Sequence, residues 1–225
     1  MKKFQTNLVL VIFSTTLFAS CLTSKKVDRQ VAKQYSDVPE TKKKKQTDNI
    51  SITSSLTSTN GQISTTETKT SNMLPLIVYW KWDYTNTCTL NPQIPINNFI
   101  TTVNSYANKG LKAKLAGQSL ELSVDKIPNK FQILDKAHLI FFGYAFGWDN
   151  VSMKALDMEM AVSYRVLKDN LETKKGTILI PSFDDKKPLG MFKNWKTATN
   201  EYLTQFDENI STMSKLVVDK LINEL

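Results

Sequence analysis

From Trp195 onward the apolar residues Trp195, Ala198, Tyr202, Phe206, Ile210, Met213, Val217 and Leu221 return every three or four positions. That spacing is the unbroken stripe of an amphipathic helix. Drawn from Phe192 to Glu224, the helix would be about 50 Å long at 1.5 Å per residue. Its apolar stripe needs a cover of matching length. One sheet is narrower than that, so the helix is expected to overhang or to kink near Asp207.

The upstream residues supply strands to meet it. Leu76, Val78, Trp80, Trp82 and Tyr84 alternate with Ile77, Tyr79, Lys81 and Asp83, which is the period of a strand. A helix is expected next, capped by Asn97 or Asn98, with Phe99, Val103, Tyr106, Ala107, Leu111 and Leu115 on its apolar face. Leu120, Leu122 and Val124 mark a second strand. Leu139 to Phe146 is almost continuously apolar and reads as a central strand buried on both faces. Met158 to Val166 makes a fourth strand, Lys168-Asp169-Asn170 a turn, and Lys175 to Pro181 a fifth strand. Strand, helix, strands and long helix predict an α+β fold: a mostly antiparallel sheet of four to five strands, with two helices packed on one face. Residues 73–225 hold 18 aromatic residues, enough for one core.

Residues 22–72 look different. They contain 18 Ser or Thr, one aromatic residue, Tyr35, and the lysine run Lys42 to Lys45. So polar a stretch is expected to be a flexible tether, because it has little apolar surface to set against its ordering entropy. Within it, Val27 to Tyr35 could form a short helix, and Ile50-Ser51-Ile52 an edge strand. The basic excess also sits upstream. Of the net +8, residues 73–225 carry only eighteen Lys or Arg against sixteen Asp or Glu. A nucleic-acid partner would require positive charge on the folded part, so none is expected.

The first 20 residues have the form of a signal peptide: Lys2-Lys3, the apolar run Leu8 to Phe18, then small residues before Cys21. The run is too short for a membrane-spanning helix, which needs about 20 residues. Leu17-Phe18-Ala19-Ser20-Cys21 resembles the lipobox of bacterial lipoproteins, with Phe18 standing where Leu is more usual. The resemblance implies cleavage before Cys21 and acylation of its thiol and new amino group, palmitate included. Acyl chains in that number hold a protein firmly on a membrane. No aspartate follows Cys21, which by resemblance to enterobacterial sorting implies the outer membrane. The general style is that of Bacteroidetes-type lipoproteins. Their surface-export signal is an acidic cluster after the cysteine, and its absence here favours a periplasm-facing protein.

Catalytic chemistry finds few residues. His138 is the sole histidine, and Cys88 the sole thiol if Cys21 is acylated. Neither has an evident activating partner. Asp149 and the pair Asp184-Asp185 are the candidate carboxylates, yet their spacing matches no calcium loop, and turns are where aspartates ordinarily sit. Gly143 to Trp148 lacks the glycine spacing and lysine of a phosphate loop. The expectation is no enzyme, no metal and no cofactor. Tryptophans remain: Trp82 and Trp148, near strand ends, are the candidate ligand-binding pair for a glycan or a lipid. The element order also loosely resembles auxiliary lipoproteins of Gram-negative envelope transport, in architecture alone. The reading is a non-enzymatic, membrane-anchored lipoprotein that scaffolds or assists an envelope complex, lipid transport among the candidates, with a protein partner there. The alternative is a ligand-binding lipoprotein.

Overall fold

The computed structural model describes residues 23–36, 49–58, 61–76, 78–107, 110–156, 159–181, 187–188 and 195–225. The signal segment, Cys21, the lysine run and Asp184-Asp185 lie outside the described residues. The fold is α+β, with two mostly antiparallel sheets where one was expected. Four helices are described: α1 (Ser24–Tyr35), α2 (Gln93–Tyr106), α3 (Leu111–Leu115) and α4 (Trp195–Glu224). The first sheet has the order β1-β4-β7-β8, formed by Ile50–Ser54, Ser119–Lys126, Met160–Lys168 and Leu171–Ile180. Its β1 runs parallel to β4 and its other pairs are antiparallel. The second sheet has the order β2-β3-β5-β6-β9 and is antiparallel throughout. Its strands are Ser64–Leu76, Tyr79–Leu90, Lys130–Phe142, Tyr144–Leu156 and Lys187–Pro188.

The long helix explains the second sheet. Near its start, the Tyr202 ring packs on Phe131 of β5, with centroids 5.2 Å apart. Near its end, Lys220 Nζ donates to the carbonyl of Leu179 on β8 at 2.9 Å, and Tyr164 of β7 donates to Glu224 Oε2 at 2.5 Å. One stripe thus crosses from one sheet to the other, burying Leu203, Phe206, Ile210, Met213, Val217 and Leu221. At 30 residues, α4 is about 45 Å long. Two sheets supply the cover that one could not, and Asp207 lies inside the continuous helix.

The expected tether is largely structured. Val27, Val31 and Tyr35 fall at four-residue steps on one face of α1, and all three are buried. Polar contacts fix the helix in place. Asp28 Oδ1 accepts from Ser64 at 3.2 Å and Thr66 at 2.6 Å on β2. Gln30 donates to Asn200 at 2.7 Å, and the Tyr35 hydroxyl donates to Asp207 at 3.2 Å on α4. The Ser/Thr-rich residues that follow become β1 and β2, whose cohesion comes from backbone pairing with β4 and β3 rather than from apolar content. The expected helix near Asn97 starts earlier, at Gln93, whose amide is capped by the Asn91 side chain at 3.0 Å. It ends at Tyr106 and resumes as α3. Strands β4, β7 and β8 lie close to where the alternation put them. Asp169 and Asn170, at φ 53° and 64°, make the β7–β8 turn with the paired positive φ of a type I′ hairpin.

Two features of this framework are open to test. A Cβ at Gly176 would lie 2.8 Å from the ring of Tyr164, its cross-strand partner. Gly176→Ala should therefore lower stability by about 1–3 kcal/mol in urea unfolding, as overpacking does. The second is Asp207. Burial pushes its carboxyl from an ordinary 3.8 up to about 6, although hydrogen bonds from Tyr35 and Asn98 pull it down. The folded state therefore holds this proton more tightly than the unfolded state. The stability it contributes is complete below about pH 3.8 and is lost as pH rises through about 6. Relative to Asp207→Asn, the wild type should lose urea resistance between about pH 4 and about pH 7.

Candidate interaction site

The run from Leu139 to Phe146, expected to be a buried central strand, is instead the end of a hairpin. Gly143 adopts φ +71°, a conformation that costs a residue with a Cβ, and there β5 turns back as β6. The β2–β3 turn lies at the same end of the sheet, since Tyr79 pairs with Ile140 and Phe141 N donates to the carbonyl of Val78 at 2.9 Å. The other end of β3 and β5, with Cys88, Leu90, Phe131 and Ile133, is buried in the core. With 13 residues, β5 is about 43 Å long at 3.3 Å per residue. Its inner half is core and its outer half projects as an arm.

Pairing register assigns the arm's two faces, because directly opposed residues share a face. One face carries the row Leu74, Lys81, His138, Trp148, then Tyr79, Ile140, Phe146, then Phe142 and Tyr144 at the turn. The other carries Met73, Trp82 and Ala137, then Trp80, Leu139 and Gly147, then Phe141 and Ala145. Residues 73–80 and 139–148 contain no charged side chain at all. Yet they are not covered: Phe142 is 82% exposed, Tyr144 79%, Leu74 66% and Phe146 64%. Met73, Val78 and Phe141 are exposed as well. Full burial of one such side chain is worth about 1.5–3 kcal/mol, and this end of the sheet forgoes that several times over. Contiguous exposed apolar surface of this kind marks a place where something docks.

The candidate tryptophans do not form a pair. Trp148 is exposed and lies on the face with His138, while Trp82 is half-buried on the opposite face. A glycan or lipid cannot be held between them. Trp148 instead stacks on His138, with centroids 4.9 Å apart and planes 5° apart. The other side of the histidine meets Tyr79, whose hydroxyl is 2.6 Å from Nδ1. His138 is thus part of an aromatic ladder across β3, β5 and β6, within strand β5. Its nearest charged neighbours across the face, Lys81 and Asp83, pair with each other at 3.0 Å.

Cys88 is fully buried, and burial pushes its thiol up to about 11, so it is held protonated. Among the described residues no three His, Cys, Asp or Glu side chains gather as a metal site. Asp149 is on β6 opposite Ala137. Among the described helices none is long and apolar enough to cross a membrane. The chain matches no family model, no curated protein and no solved structure.

Sequence reasoning missed the arm because a continuous apolar run fits a buried strand as well as a hairpin end. The available signal was Gly143, which has an aromatic residue on each side and apolar residues running away from it in both directions. If the arm's end is a docking surface rather than packed core, removing its rings leaves the fold intact. Phe142→Ser and Phe146→Ser should each shift unfolding free energy by less than about 0.5 kcal/mol, the range for surface sites. Both should reduce binding of a hydrophobic fluorescent dye to the native protein.

Proposed function

We propose that the protein is a non-enzymatic envelope lipoprotein, anchored through acylated Cys21 and acting as a scaffold or accessory subunit whose working surface is the aromatic arm. The observation that carries this reading is the uncharged, exposed end of the second sheet. A catalyst needs polar groups converging in a cleft. This molecule invests its exposed surface in apolar contact. The lipobox-like ending at Cys21 supports the anchor, the lack of an aspartate after it supports the outer membrane, and the lack of an acidic cluster there supports a periplasm-facing domain.

The start of α1 adds a constraint on how such an anchor would work. Ser24 lies three residues after Cys21. Three extended residues span about 10 Å, so an acylated Cys21 holds the domain against the bilayer rather than at the end of a long leash. A subunit placed this way works at the membrane surface, as a component of lipid transport or another envelope assembly would. The ligand-binding alternative has less support, since Trp82 and Trp148 face opposite ways.

Cys21→Ala should abolish palmitate incorporation and move the protein out of the washed outer-membrane fraction. Retention of both label and membrane association in that variant would end the lipoprotein reading. An assembly partner should be recovered by crosslinking from wild-type envelopes and lost with Cys21→Ala, which releases the chain from them.

A further inference from the structure

We infer that the end of the arm enters the head-group region of a phospholipid bilayer. The inference rests on the membrane-anchored reading above and adds what the arm touches. A protein partner, or a second copy stacking face to face, covers one face of a sheet. Here both faces carry exposed apolar side chains, Phe142 and Phe146 on one and Met73 and Phe141 on the other, which suits a medium that closes around the whole tip. The side chains are of the interfacial kind. Tyr144 and Trp148 combine an apolar ring with a polar group that can remain hydrated, and Phe142 and Phe146 add exposed rings beside them.

The same geometry limits the depth. Among the described residues, β6 pairs on its outer side only with β9, at Ser152 and Met153, and β2 is the other edge of the sheet. Their open peptide groups cannot be taken into hydrocarbon, so the arm does not span. From Leu139 to Gly143 the uncharged end rises about 13 Å, a little more than the roughly 5–10 Å penetration of interfacial segments. Lys81 and His138 form the first row with ionisable groups below it, at the level of water and phosphate.

Asp28 fixes α1 to Ser64 and Thr66, at the end of β2 that pairs with Leu90 and Cys88, away from the arm's tip. The tip therefore meets the bilayer as a contact separate from the anchor. Because the tip has no charge, its contact with lipid does not depend on salt or on anionic head groups.

The test uses the full mature chain, acylated and reconstituted in phosphatidylcholine vesicles, with an environment-sensitive fluorophore on Phe142→Cys. Cys88 is fully buried, so the label goes to the new thiol. Lys130→Cys, exposed at the far end of the same strand, is the control. The label at 142 should be quenched about two-fold or more by lipids carrying a shallow quencher, and be shielded from aqueous iodide to a similar degree. The control label should show the reverse, and about 0.5 M salt should change neither. A label at 142 as open to iodide as the control overturns the inference. So does a label already shielded without vesicles, which means that protein, a second copy included, covers the arm. The mass of the purified chain reports acylation separately. An acylated chain with an aqueous tip loses only the arm, and an unacylated chain whose tip is lipid-quenched loses only the anchor.

Discussion

The molecule depends on covering the apolar stripe of α4. A helix about 45 Å long cannot be buried by one small sheet, and this one lies across two. Phe131 and Tyr202 join it to the second sheet, while Tyr164, Lys220 and Glu224 join it to the first. The sheets do not share a strand, so the helix is the physical link between them. The Asp207 region is where that link is reinforced. There α1 contributes the Tyr35 hydroxyl, and Asn98 of α2 donates to the Asp207 carbonyl at 2.9 Å. The raised pKa of Asp207 is the electrostatic cost of burying a carboxylate at the point where three helices meet.

Elements whose side chains alternate or recur on one face were legible. That covers α4, β4, β7, β8 and the turn at Asp169 and Asn170. Their period is set by contact with a single core surface. The division into two sheets was not legible, because it is written in pairings between distant strands such as β1 with β4 and β3 with β5. Nor was the structure of residues 23–36, 49–58 and 61–72. Composition averages over the three buried positions of α1, and it ignores the backbone hydrogen bonds that hold a Ser/Thr-rich strand such as β2. That segment is poor in apolar residues because it lies at sheet edges and on one helix face, where few are needed.

The arm shows a related limit. Exposure of Trp148 followed from its place near a strand end, but its separation from Trp82 depends on register. Trp82 stands opposite Ala137, and Trp148 opposite His138, one residue along the same strand. A shift of one residue puts side chains on opposite faces. Apolar character alone does not reveal whether a run is wrapped by its own chain or left for another phase to wrap. Here the inner half of β5 is packed under α4 and the end of the outer half is exposed, although the outer half is the richer in apolar residues.

The docking of α1 also sets an order of events in folding. Gln30 finds Asn200 across 170 residues, and Tyr35 finds Asp207 across 172. Contacts so distant in sequence close slowly, because the intervening chain must be ordered first. A chain delivered amino end first presents α1 long before the helix that receives it exists. The contact of α1 with α4 is therefore a late one, made after Asp28 can already reach Ser64 and Thr66 of β2 across 36 and 38 residues.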